Sequence, residues 1–167
     1  MEMVRTMKYV SLLLALSLSA LGADFMLAIG NPAAASIPST VSPTGGGPVP
    51  TKVSKDALFA VRPEGCANPA NARITGTAEG LVDGTRQSAA LRLLPGSIPG
   101  VYVVSREGPP QGVWVVKLTG VCGGAKAGAL VPVARGGFQR ESAKFYPRPI
   151  TEAEVEATLK SLSGGAR

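Results

Sequence analysis

The 167-residue chain has room for one domain with short appendages, and its 45% hydrophobic content is enough to build a core. Gly (21) and Pro (14) are abundant but below the level of a wholly disordered chain, as expected for short strands joined by many turns. The net charge of +6 favours contact with anionic surfaces. Its arginines, among them Arg62, Arg73, Arg92, Arg106 and Arg140, are scattered singly rather than gathered in a stripe.

The first 35 residues read as a targeting segment. Arg5 and Lys8 form a basic start, Tyr9–Gly22 is a long apolar run, and Ala33-Ala34-Ala35 offers an A-x-A cleavage frame. Because the apolar character resumes over Phe25–Gly30, cleavage after Gly22, with Ala20 at the −3 position, is a second option. The rival is an uncleaved anchor over residues 9–30, long enough to span a bilayer. Asp24 inside that span is costly, which favours export with cleavage to a periplasmic or extracellular site. Residues 36–53 are rich in Pro, Gly and Ser and carry almost no large apolar side chain, so they read as a flexible linker.

The domain is expected over residues 54–150. Strands are predicted at Ala57–Val61, Ala72–Glu79, Ser88–Leu94, Val101–Ser105, Val113–Val121 and Gly128–Ala134, with Phe138–Tyr146 completing the sheet. Asp83-Gly84, Gly123-Gly124 and Arg135-Gly136-Gly137 mark turns. Pro132 demotes Gly128–Ala134 to an edge or a bulge, and Ala127–Ala134 is the candidate edge for strand pairing with a partner. Seven short strands at this spacing predict an all-β sandwich.

Val101–Ser105 and Val113–Val121 are the most strand-like segments, and they are expected to pair across the Glu-Gly-Pro-Pro-Gln-Gly connection. In the second of them Trp114, Val116, Leu118, Gly120 and Cys122 share one face, which is the drier one and points into a core. A short amphipathic helix is predicted over 151–163. Thr151 and Glu154 form a capping box, Ile150 and Val155 a hydrophobic staple, and Val155, Leu159 and Leu162 an apolar stripe that docks on the domain.

Export makes a Cys66–Cys122 disulfide the expected state of the two cysteines. The pair closes a loop of 57 residues counting both ends. A two-cysteine sandwich of this kind resembles the immunoglobulin-like class, and the paired G-V-Y-V-V and G-V-W-V-V runs resemble transthyretin-like modules. The chain departs from a true immunoglobulin domain in placing Trp114 eight residues before the second Cys, and in having Gly120 where a Tyr stands. The resemblance implies an architecture and transfers no site.

The chemistry is sparse. No His is present, which removes the commonest general base and metal ligand and every Ser-His-Asp or Cys-His constellation. Two cysteines without a C-x-x-C pair do not make a zinc site, and no glycine cluster has phosphate-loop spacing. Before Thr151 a carboxylate-based hydrolase has only Asp56, Glu64, Glu79, Asp83, Glu107 and Glu141 to draw on. The expectation is therefore a non-catalytic binding or structural module of the cell envelope, with no cofactor, metal or nucleic-acid partner. An anionic envelope polymer or a protein is the expected kind of partner. Recognition is expected in the loops Pro95–Gly100, Gly108–Gly112 and Gly123–Gly128. The alternative is an accessory subunit that docks on an envelope assembly by pairing an exposed strand edge.

Overall fold

Nine antiparallel strands form one continuous sheet in the computed structural model, which describes residues 24–35, 56–107, 111–134 and 137–164. They are β1 (Met26–Gly30), β2 (Ala57–Glu64), β3 (Arg73–Val82), β4 (Thr85–Pro95), β5 (Tyr102–Arg106), β6 (Val113–Cys122), β7 (Ala125–Ala134), β8 (Gly137–Phe138) and β9 (Lys144–Tyr146). One helix follows, α1 (Glu152–Gly164). Neighbours lie in the order β1-β2-β5-β4-β3-β6-β7-β8, and β9 shares the far side of β7 with β8.

The sheet turns over at β4. Residues up to Ala90 pair with β3, and those from Leu91 onward pair with β5. A strand divided between two partners makes a corner. The result is a curled sheet, a half-barrel, whose β1 comes back against β7 and β9 with no ladder between them. Two of the turns are the tightest available. Asp83 (φ 51°) and Gly84 (φ 76°) join β3 to β4, and Gly123 (φ 56°) and Gly124 (φ 88°) join β6 to β7. Both central positions of a type I′ turn need positive φ, which Asp-Gly and Gly-Gly accept at low cost.

The expected hairpin between the two most strand-like segments does not form. β5 pairs with β2 and β4, whereas β6 pairs with β3 and β7. The two strands therefore lie in different leaves of the curled sheet. Trp114 lies opposite Gly80 of β3, where a Cβ would fall 2.5 Å from the indole ring. Only a glycine leaves the ring its place.

The drier face of β6 does point into the core. Trp114, Val116 and Leu118 are buried there with Phe59, Val61, Val104, Ala129 and Val131. Val115 on the opposite face is buried as well, because α1 covers it. Val155 and Leu159 of α1 meet Val115, Leu130 and Ile150, with Leu162 packed at the rim. One half of the capping box is present, the carboxylate of Glu154 reaching back to the Thr151 backbone. Thr151 donates from its backbone N–H and its hydroxyl to Glu154 Oε2, each at 2.9 Å, and Arg148 grips the same carboxylate through two nitrogens.

β1 lies inside the interval read above as targeting segment and ahead of the expected domain start at residue 54. Phe25, Leu27 and Ile29 are buried in the main core, each worth about 2 kcal/mol of hydrophobic stabilisation as an upper figure. The 36–53 stretch falls outside the described residues, apart from which the chain before and after it belongs to one sheet.

Ala127–Ala134 is not an edge. β7 has β6 on one side and β8 and β9 on the other. Pro132 falls in the interval between its two short partners, so its missing N–H costs no ladder bond, and its carbonyl accepts from the Gln139 N–H at 2.9 Å. Among the described residues no helix is long and apolar enough to cross a membrane.

Candidate binding site

The half-barrel has two ends of different character. At one end Cys66, just after β2, is disulfide-bonded to Cys122, the last residue of β6, with their Cα atoms 6.0 Å apart. The β4–β5 loop packs here too. Gly100 approaches Pro69 so closely that a Cβ would lie 2.6 Å from its carbonyl oxygen. This end therefore gathers two of the three expected recognition loops, Pro95–Gly100 and the Gly123–Gly124 turn. Gly128, the far limit of the third segment, lies inside β7.

The Gly108–Gly112 loop belongs to the opposite end. Residues 108–110 are outside the described set, and Gly112 sits against Leu81 and Val82 beside the β3–β4 turn. The three loops thus do not form one surface.

This second end holds the most unusual polar group in the fold. Tyr102, Val104 and Arg106 alternate onto the inner face of β5. Val104 is fully buried, and Arg106 carries its guanidinium 4.2 Å from the ring centroid of Trp114. Trp114 is 2% exposed and donates its indole N–H to the Gln111 carbonyl at 2.7 Å. Arg106 Nε and Nη1 are buried and have no hydrogen-bond partner among the described residues. Burial pushes the Arg106 pKa below its ordinary value, yet an arginine stays charged. A partly desolvated cation stacked on an indole, with two buried donors unspent among the described residues, is an arrangement that suits a carboxylate or phosphate oxygen.

Two hollows lie elsewhere. A groove of about 440 Å³ runs beside β1, lined by Ile29, Val61, Ile98 and Val101 with Arg62 and Arg140. Arg62 is already committed to Glu64, through its Nε at 2.9 Å and through Nη2. A wider cleft of about 1000 Å³ opens between the end of α1 and the sheet, against Leu81, Val113, Val133, Gln139 and Leu162. The polar groups of the first are Asn31, the Arg62–Glu64 pair and Arg140, and those of the second are Gln139, Ser161 and Ser163.

The carboxylates are mostly paired with cations. Glu64 meets Arg62, Glu107 meets Arg92 at 2.6 Å, and Glu79 takes Arg86 at 3.4 Å and the Ser88 hydroxyl at 3.0 Å. Arg86 and Lys117 also reach Glu152 at the start of α1. Among the described residues no group of three or more Cys, Asp or Glu side chains is placed to hold a metal ion.

Arg106 could have been singled out from the sequence. Its position two residues beyond Val104 and four beyond Tyr102 places it on a core-facing row, where an arginine is out of pattern. Read as one scattered cation among several, it carried no signal. In comparison with known proteins, the chain matches no family model, no curated protein and no solved structure.

Proposed function

We propose that the protein is an exported, non-catalytic binding module of the bacterial cell envelope that takes an anionic group of its partner at Arg106, against Trp114. The observation that carries this reading is the half-buried Arg106, whose buried Nε and Nη1 have no partner among the described residues. A buried N–H without an acceptor costs about 1–3 kcal/mol, and a bound carboxylate or phosphate would offset that cost. The disulfide supports the exported setting, and the immunoglobulin-like or transthyretin-like sandwich remains the finer architecture proposed for the curled sheet.

The test uses the single Trp as its own reporter. Trp114 emission is titrated with acetate, inorganic phosphate and a uronic-acid polysaccharide. A saturable change that disappears in Arg106→Met is expected, and it should be weakened in Arg106→Lys, which keeps the charge but loses the planar fork. An unchanged spectrum with every probe would sink the proposal.

The accessory-subunit reading now rests on β1. Its outer edge has no strand partner among the described residues, and Met26 (45% exposed) on β1 and Phe145 (39% exposed) on β9 flank the seam. Concentration-dependent association that is lost in Met26→Lys would favour it over the binding module.

A further inference from the structure

The N-terminal segment offers two small-residue frames for an export cut, Ala20-Leu21-Gly22 and Ala33-Ala34-Ala35. The folded domain is not indifferent between them. β1 begins three residues after the first frame and ends before the second. It is registered against β2 over its whole length, from Met26 opposite Glu64 to Gly30 opposite Ala60. Phe25, Leu27 and Ile29 are 7%, 1% and 6% exposed.

The rest of the chain is also shaped to receive β1. Gly120 sits inside β6, two residues before its end, where a glycine weakens a strand unless something approaches closely. A Cβ there would lie 2.7 Å from Leu27 Cδ2 and 3.0 Å from the Phe25 ring. The vacancy in β6 is occupied by β1. Hydrolysis after Ala35 would detach a strand for which the sheet has made room. Hydrolysis after Gly22 leaves it attached, with Ala23 and Asp24 ahead of the first buried side chain. The apolar run that remains to the leader, Tyr9–Gly22, is 14 residues, within the roughly 7–15 residues of an ordinary leader core.

We infer that the export cut falls between Gly22 and Ala23, and that Phe25–Gly30, the far part of the N-terminal apolar region, is retained as the first strand of the mature domain. A host signal peptidase adds one water across that peptide bond, leaving a carboxylate on Gly22 and an amine on Ala23. The inference rests on the export reading, and its test separates the two.

The full chain is expressed in a bacterial host, and the released protein is measured by intact mass before and after reduction and thiol alkylation. A chain beginning at Ala23 with both thiols protected until reduction is expected. Gly22→Phe should block processing, and Ala35→Phe should leave it unchanged. A chain beginning at Ser36, or the reverse pattern in the two variants, overturns the site while leaving export standing. An unprocessed chain with its disulfide intact also overturns the site and points to an exported, anchored protein. An unprocessed chain with two free thiols overturns the export reading itself. As an independent arm, chains starting at Ala23 and at Ser36 are produced behind an unrelated leader. The second should unfold at a lower denaturant concentration, and equal midpoints would remove β1 from the mature fold.

Discussion

The two ends of the half-barrel reach order by different means. At the disulfide end a covalent bond ties the bend after β2 to the last residue of β6, and the β4–β5 loop packs closely on that bend. At the other end no disulfide ties the leaves together. Order there comes from one large ring, Trp114, seated over a glycine, with a cation stacked on it whose donors are not fully used. The first end restricts the unfolded chain; the second spends native-state energy on an unsatisfied group. The covalent tie and the proposed binding group thus sit at opposite ends of the strands.

The sharpest way to break this contrast is to remove the covalent tie. Replacing Cys66 and Cys122 together by Ser should lower stability by as much as about 4 kcal/mol, the loop-closure figure for a 57-residue loop. The urea midpoint falls, while the emission maximum of folded Trp114 stays where it was. A shifted native spectrum would show that the two ends are coupled. Gly80→Val acts from the other side, since its side chain competes with the indole for the same space. A loss of about 1–3 kcal/mol is expected from such overpacking, with Trp114 emission moved to the red and the disulfide still formed by thiol titration.

Arg106→Met should move stability in the opposite direction. It removes the buried donors that have no partner among the described residues and keeps an apolar stem over Trp114, so the urea midpoint should rise by the equivalent of about 1 kcal/mol, while any response to anions is lost. A destabilised variant would mean that the guanidinium is serving the fold and not a ligand. Smallest of all is an effect at neither end. Glu154 is held at about 2, well below the ordinary carboxylate value of 4.5, by the Arg148 side chain first and by the Thr151 N–H next. Its folded pKa is depressed, so its contribution is complete above pH 4.5 and fades as pH falls towards 2. Far-UV circular dichroism should show α1 fraying over that interval. The change is expected to be slight and weakened by salt, because the pair is exposed, and in Glu154→Gln it should vanish.

Local chemistry was legible wherever a short stretch contains its own answer. Asp83-Gly84 and Gly123-Gly124 form the turns that their residue types demand, the alternation in β6 finds its inner face, and Thr151 with Glu154 starts the helix. Partner choice was not legible. Period-two alternation says which face of β5 and β6 is dry, but not which strand lies alongside, and the leaf change inside β4 separates two segments that look like a hairpin. Phe25–Gly30 was lost for another reason. An apolar strand next to an apolar leader has no boundary in hydropathy, and the evidence that it is a strand lies almost a hundred residues away, in the glycine at position 120. Arg106 was hidden similarly, because its meaning depends on Trp114 and not on its sequence neighbours.

The position of β1 has one more consequence. Among the described residues it is an edge strand that pairs with β2 alone, and 20 residues of sequence separate Ala35 from Asp56 where β2 begins its approach. In mass-action terms it is a ligand carried by its own receptor, kept in place by the effective concentration that the connection confers. A nick between 36 and 55 would turn the protein into a two-part complex whose cohesion depends on dilution. In a crowded solution the same strand from one copy can fill the vacancy over Gly120 in another, so exchange of β1 is the route by which this domain would form dimers without any new interface.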